Sequence, residues 1–436
     1  MSHEEDYRVV LSLIRSREFS DMWARANREA VTRDSYGEMD MPENYSEDEL
    51  FTIITALRRR FSTEIPFANY IISTSESYNW FSATSSMQES LRFLVSQAQA
   101  GSALDIQMSS ILDSQSRISM MLDEFLSVCR RDGIDIPYES ARAILSGERS
   151  PQTPLERLLA NFRNLSIDIP RYTGTRISPS LLEELHDRLI DGVAFPIKPE
   201  PRPRIKERKP SILDDPDEAI DMICRLANAR GCARAIHPIF CSILISGVFW
   251  EFYPLPEINA VLELVVRIIH YHQVGLPMLA FASFSQLSES WEQGTLTLLS
   301  VPWSYLDLRD IPDCGEGFDA TTHFASELKL LEYEIERLHD VVARLKLNDL
   351  AMRHRLEENQ MLNFRQKDIL ISALKNRGMR FKIDEHRRLH DIAYATARQD
   401  FLSLHEMGFV SLEKQDRVFI FRPTEKFFSW MSQELP

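Results

Sequence analysis

Two apolar stretches, "IFCSILISGVFW" and "INAVLELVVRI", lie between Ile239 and Ile268, joined by a segment that turns at Tyr253-Pro254-Leu255. A helix that is apolar on every side has to be surrounded on every side. The first stretch is too short to cross a bilayer, which takes about 20 apolar residues. It therefore reads as a helix at the centre of a helical core, and the second stretch as its neighbour. The segment between them, "EFYPLPEIN", is then a turn held where the two helices meet. Its rhythm of Tyr-Pro-Leu, an acid, an asparagine and a new helix is that of a catalytic loop, yet it holds no histidine, glycine or arginine.

The rest of the chain is built around that pair. With 436 residues it is too long for one core, and two to four domains are expected. Residues 1–102 read as an N-terminal helical extension, with a helix start at Ser46 followed by Glu47, Asp48 and Glu49. Residues 103–320 read as the main helical core. "SRISMMLDEFLSVCRRDG" stops at Gly133, "IPYESARAILSG" runs from Pro137 to Gly147, and "SPSLLEELHDRLIDG" runs from Ser178 to Gly192. Residues 321–360 read as a long connecting helix. Its apolar positions Phe324, Leu328, Leu331, Ile335, Leu338, Val342, Leu345, Met352 and Leu356 step by fours and threes, with a break at Asp349. Such a seam either lies along the body of its own chain or pairs with a second copy. Between these regions, "KPEPRPRIKERKP" at 198–210 holds four prolines and six basic residues and should be extended and exposed, as a solvated linker or a docking strap for an acidic partner.

Residues 361–436 follow another pattern. A helix over Arg365–Lys375 is followed by a short one over Asp384–His390, a turn at Asp391-Ile392, and a third over Tyr394–Glu406 that stops at Gly408. Two strands, "FVSLE" and "VFIFR", come next. Three helices and a two-stranded wing are the order of a winged helix-turn-helix. Its expected core is Ile369, Leu370, Leu389, Phe401, Leu404 and Val410. This segment carries thirteen Lys and Arg against ten Asp and Glu, a balance of +3 in a chain of net charge -15, which leaves -18 for the remainder. Tyr394, Thr396, Arg398 and Gln399 would stand at the exposed start of the third helix, with Arg387 and Arg388 beside the groove. Arg and Gln read base edges, and Thr contacts a phosphate or a methyl. DNA is thus one partner the sequence offers; the other use of such a unit is protein contact.

Composition narrows the rest. Hydrophobic residues make up 44% and charged residues 26%, ordinary for a globular protein. The five cysteines, at 129, 224, 232, 241 and 314, form no C-x-x-C pair, which argues against a disulfide framework or a zinc site and fits a reducing cytoplasm. The N-terminus "MSHEEDYRVV" is acidic where a secretion signal would be basic, and no stretch reads as a membrane span. His270 and His272 are two apart on a helix and face apart, so they read as core or capping residues, as does His237. Ser246 lacks the glycines of a nucleophile elbow.

The order of these segments resembles the Fic (Fido) family, whose members transfer AMP from ATP to a hydroxyl of a target protein. The family loop reads H-P-F-x-[DE]-G-N-G-R-x-x-R and follows a helix ending F-W-F-E-Y-I-H-P-F. Here the counterpart is Phe249-Trp250-Glu251-Phe252-Tyr253-Pro254-Leu255. "VGLPMLAFASFSQ", "SPSLLEELHDRLIDG" and "TARQDFLSLHEMGFV" resemble further family segments, so the likeness spans roughly residues 110 to 425. It implies a mainly α, Fic-like core with a C-terminal winged helix.

On that alignment the loop has lost its chemistry. The family's histidine, which takes the proton from the attacking hydroxyl, falls at Tyr253, and a phenol of pKa about 10 is a poor base. The glycines fall at Ile258 and Ala260, and the phosphate-holding arginines at Val261 and Leu264. Pro254, Glu257 and Asn259 survive. Glu257 would be the magnesium-binding acid, and one carboxylate without a phosphate cradle holds magnesium poorly. The family's inhibitory pattern [ST]-x-x-x-E-[GN] finds its counterpart with Val128 at the Ser/Thr position, Asp132 at the glutamate and Gly133 at the glycine. That remnant would have lost its arginine partner. The clamping hairpin expected before the loop gives way to the proline-basic strap.

The sequence thus leads to a catalytically inactive Fic relative acting as a binding or regulatory protein, with no cofactor and no metal, cytoplasmic, and with DNA, a protein partner or a second copy as its contacts. Two alternatives stay open. One is an active adenylyltransferase using ATP and Mg. The other is a structural dimer without a nucleic-acid role.

Overall fold

The computed structural model describes residues 12–32, 35, 39–42, 45–65, 80–112, 114–195, 215–228, 236–283, 296–300, 318–375, 379–415 and 418–432. The proline-basic strap at 198–210 lies outside them, as do Cys232 and Cys314. The fold is mainly helical.

The N-terminal helices are α1 (Arg17–Arg28) and α2 (Glu47–Arg59). Ser46 and Glu49 close a capping box on α2: the serine hydroxyl takes the Glu49 N–H, and the Glu49 carboxylate takes the Ser46 N–H. A short antiparallel pair, β1 (Thr63–Glu64) and β2 (Trp80–Phe81), was not legible in the sequence. Then come α3 (Ser85–Ala98), α4 (Ala103–Ile111), α5 (Ser114–Ser119), α6 (Leu122–Arg131), α7 (Tyr138–Leu145), α8 (Arg157–Tyr172), α9 (Pro179–Ile190) and α10 (Pro216–Ala227). The expected single helix over "SRISMMLDEFLSVCRRDG" is two, because Met121 takes a bridge-region backbone (φ -90°, ψ 6°) between α5 and α6.

The central pair is α11 (Pro238–Phe252) and α12 (Asn259–Gln273). Residues 239–249 of the first and 259–271 of the second are buried throughout. They sit in one large core with residues from β2, α3 to α10, a 3₁₀ turn at Pro277–Phe281 and the first half of α13 (Thr321–Glu358). The α13 seam is used at home. Phe324, Leu328, Leu331, Ile335, Leu338 and Val342 are buried in the large core, and Leu356 is buried in the C-terminal one. Between them the seam positions Leu345 and Met352 are half-buried, and Leu347 and Leu350, which lie off the seam, are exposed.

The C-terminal unit holds α14 (Phe364–Lys375), β3 (Phe381–Lys382), α15 (Ile383–His390), α16 (Tyr394–Glu406), β4 (Val410–Gln415), β5 (Val418–Pro423) and α17 (Glu425–Ser432). Its sheet is antiparallel in the order β3-β5-β4, with Leu412 opposite Phe421 and Phe421 opposite Phe381. The three helices and the hairpin stand where the sequence put them; β3 and α17 are additions. Ile369, Leu370, Phe401, Leu404 and Val410 are buried together. Leu389 is not: it is 77% exposed. Ile383, His386 and His390 fill the inward arc of α15, and Leu389 falls outside that arc, so the expectation of a leucine in the core is corrected to a histidine.

Candidate functional site

The turn between α11 and α12 is closed by its own asparagine. The Asn259 side chain accepts from the Leu255 N–H (3.0 Å) and donates to the Leu255 carbonyl (2.7 Å). Two residues of the turn are left-handed: Tyr253 (φ 45°) ends α11, and Ile258 (φ 50°) sits at the N-cap of α12. A β-branched residue there costs about 1–2 kcal/mol. Ile258 is 1% exposed, and burying its side chain returns about 1.5–3 kcal/mol, so packing outweighs strain. The backbone is one that favours glycine, and the isoleucine side chain fills the core.

At the first turn of α12, Asp132 occupies the exposed N–H groups. Its Oδ1 accepts from Ala260 (3.0 Å) and its Oδ2 from Val261 (2.9 Å). The geometry begins at the end of α6. Gly133 is left-handed (φ 74°), its N–H bonds to the Arg130 carbonyl, and the Ile134 N–H bonds to that of Cys129. This is the Schellman ending, which reverses the chain at Asp132. The Arg131 guanidinium carbon lies over the Trp250 ring of α11, 3.6 Å from its centroid. A carboxylate thus sits where a helix N-terminus would hold an anion. The expectation for Asp132 was the loss of an arginine partner; in the structure its carboxylate is taken by the backbone N–H groups of α12.

Burial pushes the Asp132 carboxyl up to about 6, against the Ala260 and Val261 N–H groups and Arg131, which favour the ionised form; Glu263 adds to the rise. The folded value exceeds the unfolded one, so this group's stabilising contribution is full below about pH 4 and is lost as pH rises through 6. Asp132→Ala strips two helix N–H groups of their acceptor, at about 1–3 kcal/mol each less the relief of a buried charge. A net loss of about 2 kcal/mol at pH 7 is expected, widening by about 1 kcal/mol at pH 5. Urea unfolding of both proteins at the two pH values checks it; a gap that narrows on acidification contradicts the assignment.

The other loop residues lie as follows. Glu257 is half-buried, its Oε2 3.9 Å from Nε2 of His186 on α9, which is itself nearly buried. His186 was not singled out in the sequence. Val261 and Leu264 point into the core, 0% and 1% exposed, so neither faces a ligand. Beneath the turn, Arg267 donates to Glu263 (2.9 Å) on its own helix and to Glu124 (2.8 Å) on α6, and Ser246 of α11 donates to Glu263. All four are buried. The signal was present in the sequence: two opposite charges four apart inside an apolar run have to find partners. His237 caps α11 through Nδ1, and His270 Nε2 lies 3.2 Å from the Pro238 carbonyl, as capping and core histidines do. Among the described residues no group of His, Cys, Asp and Glu could hold a metal.

On the C-terminal unit, Tyr394, Thr396, Arg398 and Gln399 of α16 and Arg387 and Arg388 of α15 are all exposed. Ala397, Asp400, Phe401 and Leu404 form the inward face of α16. At about 100° per residue, Gln399 then lies on the outward stripe with Ala395 and Glu406, with Arg398 and Thr396 on its two sides. Arg387 leans to Asp384 at 3.5 Å. Arg388 stands about 100° further round α15, so the two arginines do not share one face.

No family model matches the sequence, and no curated protein matches it. No described helix is long and apolar enough to cross a membrane. Among solved structures, the chain is similar to a Fic family protein from Desulfovibrio desulfuricans G20, at 13% identity and a TM-score of 0.37, over 77% of this chain and 96% of that one.

Proposed function

We propose that the protein is a Fic-like protein whose loop no longer transfers AMP, and that it acts as a binding and regulatory protein through a C-terminal winged helix that contacts DNA. The observation that carries the first half is the Asp132 carboxylate on the Ala260 and Val261 N–H groups. A phosphate aimed at that helix end meets a carboxylate already seated on both N–H groups. With Tyr253 in place of the base and Ile258 buried in place of a glycine, the turn offers no glycine cradle and no histidine to take the proton. Incubation with labelled ATP and magnesium is expected to leave no label on this protein or on candidate partners, and no thermal shift. Label that disappears in Glu257→Ala would favour the active transferase instead.

The DNA half is supported by the outward stripe of α16 and by two exposed arginines, Arg388 and Arg398, that make no ion pair with any described residue. Selection from random duplexes at low salt is expected to enrich one sequence. Arg398→Ala should cost about 1–3 kcal/mol and relax the preference at one position, the behaviour of an arginine on guanine. Arg387→Ala should weaken binding evenly and lower the salt slope by about one. With -18 on the remainder of the chain, affinity should fall steeply with salt. No enrichment would turn the reading toward a protein partner.

A further inference from the structure

The interior of the C-terminal unit holds two histidines that the outward face does not use. His386 and His390 lie one turn apart on α15, their rings 4.6 Å apart and edge to face. His386 is buried, with Nε2 3.1 Å from Oδ2 of Asp400 on α16. Nε2 of His390 is shut off from solvent and makes no hydrogen bond among the described residues. Its nearest acid is Asp368 of α14, at 3.8 Å. The rings of Phe364 and Phe401 close the sides, 5.8 Å from His390 and 5.2 Å from His386.

The charges facing the pair come from each neighbouring element. α14 brings Arg365 and Asp368, and α16 brings Asp400, whose oxygens already take the Arg365 fork at 2.7 and 3.1 Å. Lys382 of β3 is turned to Glu385 at 3.2 Å. With both rings neutral, Arg365 is matched by Asp400, and Asp368 is half in solvent. One added proton is matched by Asp368. Two place a pair of imidazolium rings and a guanidinium against two carboxylates, with the rings in contact. The element free to give way is the end of α15, where Asp391 is already held left-handed (φ 48°) at the turn into α16.

We propose that His386 and His390 form an acid-operated catch: neutral, they hold the end of α15 and the α15–α16 turn against α14, and doubly protonated they release them. Burial depresses the His386 titration; His390 and Arg365 depress it further, and Asp400 opposes them. For a base held below its unfolded value of about 6.5, the stabilisation is present above 6.5 and is lost as pH falls through the folded value.

The test uses the full-length protein without DNA, so it stands or falls independently of the duplex reading. Histidine ring NMR titration is paired with backbone hydrogen exchange at about pH 7.5 and 5.5, corrected for intrinsic rates. Exchange over 383–396 is expected to speed about tenfold in acid, the equivalent of about one pKa unit, while 259–273 in the large core stays protected. His390→Phe keeps an aromatic ring against Phe364 and removes one proton site. It should shrink the change measurably and raise the pH at which His386 titrates, with burial still holding that ring below its ordinary range. His390→Gln serves if the phenylalanine is not accommodated. Unchanged protection in the native protein, loss everywhere alike, or equal loss with and without His390 would overturn the catch.

Discussion

Asp400→Ala is expected to cost about 3–5 kcal/mol and to unfold the C-terminal unit ahead of the rest, because it removes one partner of a buried charged network and leaves the other side unpaired. Asp400 is 3% exposed. It accepts from Asn363 (2.8 Å) and from both prongs of Arg365, lies against His386, and takes the Gln366 side chain on its backbone carbonyl. One carboxylate on α16 thereby fixes α14 and α15. Burial pushes its carboxyl up, but the hydrogen bonds from Arg365, Asn363 and His386 hold it below the usual range. Its stabilisation is therefore present above the unfolded value of about 3.8 and lost below it. Hydrogen exchange over residues 364–406 should approach unfolded rates in the variant while 259–273 stays protected. Asp400→Asn, which keeps one acceptor, should fall between. Unaltered protection in the alanine variant would show that the apolar residues around it suffice.

Arg267→Met should cost a similar 3–5 kcal/mol in the large core, lowering its melting temperature by about 8–15 °C. The substitution keeps the volume but leaves Glu124 and Glu263 facing each other in a dry interior, 5% and 0% exposed. The same rule predicts a rescue. With Glu124→Leu and Glu263→Leu added, the charges are gone and Ser246 keeps the Ser242 carbonyl as its acceptor, so most of the loss should return, since a well-packed apolar replacement of a buried ion cluster is often neutral or better. If the triple variant is as unstable as the single one, the arginine contributes shape rather than charge. Both α6 and α12 meet in this network and again at Asp132, so the pair is pinned at two heights along α12.

Local signals were legible wherever one residue dictates its neighbours. Ser46 with Glu49, Ser178, Gly133 and Gly192 begin or end helices as read, because a cap is a contact over three or four positions. The central apolar pair was legible because a helix apolar all round has one place to go. The third helix of the C-terminal unit matches at both ends, Tyr394 and Glu406. Leu389 was misplaced because an eight-residue helix has an inward arc of about three positions, and a histidine with a carboxylate across from it competes for one of them on equal terms. The role of Asp400 gave no sign either, for its partners come from 14 to 37 residues away.

What the sequence determined by itself was most of the inventory: the central helix pair, the caps of several helices, the three helices and hairpin of the C-terminal unit, and that the turn after α11 holds no histidine, glycine or arginine. The tertiary structure decided what meets the start of α12. Ala260 and Val261 expose two N–H groups because every helix begins with unpaired donors. The residue that meets them is 128 positions away from Ala260 and reaches it only because α6 ends beside α12. The seam of α13 read on paper as lying along its own body or pairing with a second copy, the first slightly favoured. It closed on its own body because the large core lay within reach of its first six turns, and burial there needs no second chain.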